Sequence, residues 1–152
     1  MCDHCSCRDY APIAELTAEH VRILTIATSL ADATRNHQAI DAGRRDELVA
    51  LLHLHVDKEE TGLYPLLLDV ASWPSDTFAD LEEEHRELFS AIDEERFDHL
   101  ALYALQRHIE EEEEVLFSAA VFHFDGDTWD DLTAAQDIVT AGATHAVGSA
   151  AS

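Results

Sequence analysis

Apolar residues recur three or four positions apart along most of this chain, the spacing that places side chains on one face of an α-helix. Breaks at Gly43 and at Trp73-Pro74-Ser75-Asp76 interrupt the pattern. Four long helices with short connections predict an all-α fold, an antiparallel up-down-up-down four-helix bundle. The predicted helices run from Pro12 to about Asn36, along the apolar stripe from Leu48 to Leu67, from Phe78 to about Glu95, and from about Asp98 to Val121.

The segments outside these helices predict the domain limits. Residues 1–11 form a cysteine-rich N-terminal tail, residues 12–121 the bundle, and residues 122–152 a C-terminal extension. In the extension we expect a short helix from Trp129 to about Thr140, followed by a frayed tail of small residues from Gly142 onward. Pro65 lies inside the second helix and is expected to kink or nearly end it, because proline lacks the N–H that a helix uses.

Composition narrows the classes of function. The 152 residues suffice for one domain with a real core, and nine basic against thirty-two acidic residues give a net charge of −23. Such a surface repels nucleic acid and anionic lipid, so we expect neither as a partner. No apolar run is long enough to span a membrane, and the three cysteines lie within the first seven residues. We therefore expect a cytoplasmic protein without a disulfide framework.

Histidines and glutamates occupy the apolar stripes at repeated positions. A long phrase, His-[Val/Ile]-x-x-Glu-Glu-x-x-Leu-[Tyr/Phe], begins at His55 and again at His108. A short phrase, Glu-His, ends at His20 and again at His85. The order short, long, short, long predicts two helical hairpins related by a pseudo-twofold axis, each helix carrying one core-facing histidine. Buried ionised carboxylates are costly unless they are paired or bound to a metal, so the whole set predicts a metal site.

These phrases resemble the hemerythrin-like family, the HHE cation-binding domain, over about residues 12 to 120. The resemblance implies a four-helix bundle that holds two iron ions, bridged by two carboxylates and an oxo or hydroxo group. Glu59 would be one bridge, and the terminal ligands would be His20, His55, His85 and His108. The second bridge is open: the spacing in oxygen-carrying hemerythrins points to Glu113, whereas the apolar stripe and the internal repeat point, slightly more strongly, to Glu112.

One departure from the family bears on function. Oxygen-carrying hemerythrins supply two histidines from the third helix, but here Leu81 and Phe89 stand four residues before and after His85. Glu82 or water would fill the remaining ligand position. A site with fewer imidazoles binds oxygen less reversibly, so we expect a protein that binds or reacts with small oxidants: dioxygen, hydrogen peroxide or nitric oxide. Peroxide decomposition of the catalase type is one form of this chemistry, and whether the chain is an enzyme stays open.

Two other functions stay open at this point. The chain is also interpretable as a sensor of iron, oxygen or redox state, or as a reversible oxygen carrier or store. In a sensor the N-terminal tail would be the output, since Cys2, Cys5 and Cys7 flank His4 and would bind a soft metal or form a redox switch. An incidental exposed tail is the competing interpretation.

The metal and its surroundings allow further alternatives. Mixed imidazole and carboxylate ligands suit iron, manganese and zinc, and the resemblance favours iron. A ferritin-like site fits less well, because its Glu-x-x-His motif occurs once, at Glu82–His85, and Leu105 stands where the second glutamate belongs. Glu60 and Tyr64 are candidate acid–base groups beside the metal, although a buried core position is the simpler interpretation of Tyr64 and of Tyr103. Surface or capping roles are assigned to the other histidines, His4, His37, His53, His99, His123 and His145.

Overall fold

The computed structural model describes residues 9–149, with side chains described as far as residue 144. All regular structure in this range is helical and comprises seven α-helices and two π-helical turns. None of these helices is long and apolar enough to cross a membrane. The bounds are α1 Ala11–Arg35, α2 Ala42–Lys58, π1 Glu59–Leu63, α3 Tyr64–Val70, α4 Thr77–Asp93, α5 His99–Glu111, π2 Glu112–Leu116, α6 Phe117–His123 and α7 Gly126–Ser149.

Each π turn joins the helix before it to the helix after it, so the chain forms four long helical rods followed by α7. The rods are α1, α2–π1–α3, α4 and α5–π2–α6. They pair into two hairpins, which we name the first half (residues 11–70) and the second half (residues 77–123). Helix α1 packs against α2 and α5, and α4 packs against α5 and α2. The prediction of an all-α four-helix bundle is confirmed.

Two apolar clusters form the core, and a polar layer lies between them. Along α1, Leu16 belongs to one cluster and Ile23 to the other, with buried His20 between them. On the last rod, Ile109 and Leu116 belong to the same two clusters and lie on either side of Glu112. The polar layer is therefore enclosed by hydrocarbon above and below, where an unpaired polar group is costly.

The sequence predicts that Pro65 kinks or nearly ends its helix, and the helix does not end there. Pro65 lies in the first turn of α3, a position that tolerates proline, and the helix continues to Val70. The distortion comes before it, in π1, where the Tyr64 N–H donates to the carbonyl of Glu59. The second half forms π2 without any proline, and its Phe117 N–H donates to the carbonyl of Glu112. The π turn therefore accompanies the repeated phrase rather than the proline.

Helix α7 is longer than the sequence predicts. It begins at Gly126, where the Asp125 carboxylate accepts a hydrogen bond from the Thr128 N–H at 2.9 Å, and it continues to Ser149 through the segment expected to fray. Alanine is frequent in this segment and has the highest helix propensity. Helix α7 packs on the first half, against α1, α2 and π1. The packing is close at Gly62, where a Cβ would lie 3.3 Å from side-chain atoms of Leu132 and Ala135.

Candidate metal centre

Each of the four rods contributes one buried histidine to the polar layer, and each π turn contributes its first residue, a fully buried glutamate. These side chains form two groups in which the candidate ligand atoms all lie within 4.8 Å of one another. Both groups contain Glu59 and Glu112. His20 and His55 complete group A, and His85 and His108 complete group B.

The two glutamates divide their oxygen atoms between the groups. Glu59 Oε1 lies 3.1 Å from His55 Nε2, and its Oε2 lies 3.5 Å from His85 Nε2. Glu112 Oε1 lies 3.1 Å from His108 Nε2, and its Oε2 lies 3.3 Å from His20 Nε2. Each carboxylate therefore presents one oxygen to group A and the other to group B, which is the arrangement of a bridging ligand.

A second set of glutamates holds the four imidazole rings. In every ring Nε2 faces the centre, and Nδ1–H donates to a carboxylate from another rod. His55 donates to Glu19 at 2.8 Å, and its counterpart His108 donates to Glu84 at 2.6 Å. The remaining pairs are His20 with Glu113 at 3.0 Å and His85 with Glu60 at 2.8 Å. The pseudo-twofold relation that the repeat predicts thus extends to the hydrogen bonds behind the rings.

The pKa values in this layer depart from ordinary values because opposite charges share a buried space. Burial lowers the pKa of His55, but the neighbouring carboxylates, Glu59 above all, outweigh it and raise this pKa to about 10. Burial likewise lowers the pKa of His108, and Glu112 outweighs it and raises this pKa to about 9. The pKa of Tyr64 is raised well above its usual value by burial and by both glutamates. The layer as a whole favours positive charge.

The residues present fit a pair of metal cations. The two Glu59 oxygens, Glu112 Oε2 and His20 Nε2 are buried and make no hydrogen bond. Such unpaired buried atoms are rare in folded proteins and call for a partner. Their nitrogen and oxygen chemistry suits iron, manganese or zinc. Two overlapping groups that share both carboxylates indicate a dinuclear site.

Comparison with family models adds an independent finding. Residues 11–120 match the hemerythrin HHE cation binding domain. The chain belongs to this family. The resemblance inferred from the phrases is thereby confirmed, and α7 lies outside the matched residues. No curated protein and no solved structure matches the chain.

The two candidates for the second bridge, Glu112 and Glu113, lie in different surroundings in this hemerythrin-like centre. Glu112 belongs to both groups, whereas Glu113 belongs to neither and accepts a hydrogen bond from His20 Nδ1. The physical reason is helical phase, because one residue further along a helix points about 100° away. Glu82 also belongs to neither group and is half-buried on α4.

Of the two tyrosines that the sequence places in the core, only Tyr64 lies there. Tyr64 is buried, stacks on His85, and donates its O–H to Glu112 Oε1 at 2.7 Å. Tyr103 was expected in the core, but its side chain is exposed because it lies on the outer face of α5. The predicted cysteine cluster of the N-terminal tail lies outside the described residues.

Sequence reasoning missed the outer parts of the centre. Glu19 and Glu84 were recognised only as parts of the short phrase, yet each fixes a histidine of the neighbouring rod. Lys58 received no role at all. Its side chain is 1% exposed, and its ammonium group donates to Glu15 at 2.5 Å and to Glu19. The available signal was a mismatch in the repeat, since Glu111 occupies the place of Lys58 in the second long phrase.

Proposed function

We propose that this hemerythrin-like protein holds two iron ions and uses them to bind or react with small oxidants: dioxygen, hydrogen peroxide or nitric oxide. The observation that carries the proposal is the pair of buried carboxylates, each of which presents one oxygen to group A and the other oxygen to group B. Two cations that share both carboxylates would form a unit that exchanges two electrons with one small molecule. Zinc, which has no redox chemistry, would leave that capacity unused.

In this proposal His20 and His55 hold one iron, His85 and His108 hold the other, and Glu59 and Glu112 are shared. The iron pair supplies the electrons and an open ligand position. The chain supplies rigid ligands, because each imidazole is fixed from behind by a carboxylate. It also limits the access of water along the bundle axis, because the apolar clusters enclose the layer above and below.

Tyr64 is the proposed proton-holding group beside the centre. Its hydroxyl donates to Glu112 Oε1 at 2.7 Å, and its raised pKa keeps the hydroxyl protonated at neutral pH. A proton on Tyr64 Oη is therefore available next to a ligand atom, as the reduction of an oxidant requires. Glu60 takes part indirectly by accepting from His85 Nδ1 at 2.8 Å, which orients that ring.

The absent third-helix histidine favours a reactive protein over a reversible carrier. Leu81 and Phe89, which stand four residues before and after His85, are both apolar and cannot bind a metal. One ligand position on the His85 and His108 side therefore has no protein group assigned to it. A position open to exogenous molecules favours reaction at the metal.

The test is optical absorption of the iron-loaded, chemically reduced protein while air is admitted and then withdrawn. We expect prompt conversion to a stable diferric spectrum, followed by measurable consumption of added hydrogen peroxide. A visible band that disappears on deoxygenation would instead establish reversible oxygen binding. Loss of helicity on chelation without any turnover would support the sensor. Failure to retain two metal ions per chain would overturn the proposal.

A further inference from the structure

The two groups of the centre have nearly the same inner ligands but different access to solvent. A cleft of about 540 Å³ opens between α4 and α5 in the second half. Both histidines of group B, His85 and His108, line this cleft, together with Leu88, Ala101, Ala104 and Leu105. Its volume is in the range of sites that hold small molecules. Group B is thus reachable from the surface between two rods.

The corresponding seam of the first half, between α1 and α2, is closed in two ways. Helix α7 packs across it, in contact with α1, α2 and π1. In the same seam, the Lys58 ammonium ties α2 to Glu15 and Glu19 of α1. Glu19, which holds His55, is only 12% exposed, whereas its counterpart Glu84, which holds His108, is 51% exposed.

The alanines explain why the seam between α4 and α5 stays open. Ala101 and Ala104 lie one turn apart on α5, on the side that lines the cleft, and their side chains end at Cβ. Longer residues there would fill the space between the rods. Ala104 is exposed, so a substitution at this position reaches the cleft without disturbing the core.

We infer that small exogenous molecules reach the centre through the α4–α5 cleft and meet the metal held by His85 and His108, while the metal held by His20 and His55 is closed to them. This inference rests on the proposed dinuclear site and deepens it, because it makes the two metal positions unequal. Both metals would have the same number of protein ligands, so the inequality comes from access alone.

The first test is the crystal structure of the iron-loaded diferric protein soaked with azide, a small anion that binds open metal positions. We expect azide on the metal between His85 and His108. Azide on the metal between His20 and His55 would overturn the inference and leave the dinuclear site intact. Metal in neither position would overturn the proposed function itself, and the inference with it.

The second test is the rate of azide binding in solution, followed by absorption. Ala104→Trp fills the cleft, and we expect it to slow binding by about tenfold or more, equivalent to roughly 1.4 kcal/mol of barrier. Ala50→Trp is the matched control, since Ala50 is an exposed mid-helix alanine on α2 that does not line the cleft. Both variants should retain two irons. Equal azide rates in the two variants would contradict entry through the cleft.

Discussion

The two halves of the bundle hold the same inner ligands in different surroundings. Each half supplies a histidine from its first rod, and a histidine and a shared glutamate from its second. Around them, Lys58 of the first half stands where the second half has Glu111, and Tyr64 stands where it has Phe117. Helix α7 covers the first half and the cleft opens in the second. The repeated residues thus form the proposed metal ligands. The residues that differ between the halves determine the access of solvent to each group and the charge around it.

The largest expected effect comes from breaking what the halves share. Glu59→Ala and Glu112→Ala each remove a carboxylate, and with it one oxygen from group A and one from group B. We therefore expect bound iron to fall from about two ions per chain to one or none. Glu111→Ala is the control, because Glu111 precedes Glu112 and is exposed. Iron analysis after desalting measures the effect. Two irons retained in either bridge variant would refute the shared-ligand arrangement.

Protons should compete with metals for the histidines of both halves. Below about pH 9 both His55 and His108 carry protons in the apoprotein, since their pKa values are about 10 and about 9. Metal affinity should therefore rise with pH, by about tenfold per unit for each proton displaced. Calorimetry in buffers of different ionisation enthalpy counts the protons released. NMR titration of the apoprotein should find both His55 and His108 protonated at neutral pH, and neutral rings there would contradict the raised pKa values.

The same pKa shifts predict how stability of the apoprotein depends on pH. Histidine pKa values raised by folding contribute stability that is fully present below the ordinary pKa of about 6.5 and is lost as pH rises through about 9 and 10. The lowered pKa of Glu112 contributes stability that is present above its ordinary pKa of 4.5 and is lost toward acid. Thermal unfolding should therefore show a maximum between these limits and a decline toward alkaline pH.

Lys58→Met removes the charge that distinguishes the first half. Breaking a fully buried ion pair costs roughly 3–5 kcal/mol, but Glu15 is half exposed, so we expect about 2 kcal/mol of lost stability. Glu111→Met, at the corresponding place in the second half, should change stability by less than about 0.5 kcal/mol, because Glu111 is exposed. Urea unfolding of the two apoproteins measures the difference. Equal midpoints would show that the ion pair does not stabilise the seam.

Tyr64→Phe makes the two halves alike, because Tyr64 stacks on His85 as Phe117 stacks on His20. The Tyr64 hydroxyl is buried and bonded to a carboxylate, so its loss should destabilise the apoprotein by about 1.5 kcal/mol. Tyr103→Phe is the control, since the side chain of Tyr103 is exposed. If Tyr64 holds the proton that the oxidant needs, the variant should retain two irons and lose peroxide consumption. Unchanged consumption would remove Tyr64 from that role.

Pro65→Ser should have the smallest effect. Ser118 occupies the corresponding place in the second half, where π2 forms without proline. We expect about 0.5 kcal/mol of lost stability, through the greater freedom of the unfolded chain, and no change in bound iron. A crystal structure of the variant should retain π1. Conversion of residues 59–63 to regular α-helix would show that proline, after all, sustains the distortion.

The fold and the inner residues could be predicted because both depend on local spacing. Apolar periodicity located the four rods, and the repeated His-x-x-x-Glu spacing located His55 with Glu59 and His108 with Glu112 on single helix faces. The pairing of Glu19 with His55 could not be predicted in this way, because it depends on how two rods are placed side by side. The length of α7 was missed because fraying was assigned from small residues without weighing the helix propensity of alanine.

The two π turns determine how this protein would respond to the deletion of one residue from a rod. Each π turn contains one residue more than the α-helical turn it replaces, and one residue corresponds to about 100° of rotation about the helix axis. Deleting one residue between Glu59 and Leu63 would therefore convert π1 to an ordinary α-helical turn and leave α3 nearly in its present orientation. Tyr64 would keep its place beside Glu112 and His85. The same deletion within α2, which holds no extra residue, would turn the rest of the rod by about 100° and carry Tyr64 away from both.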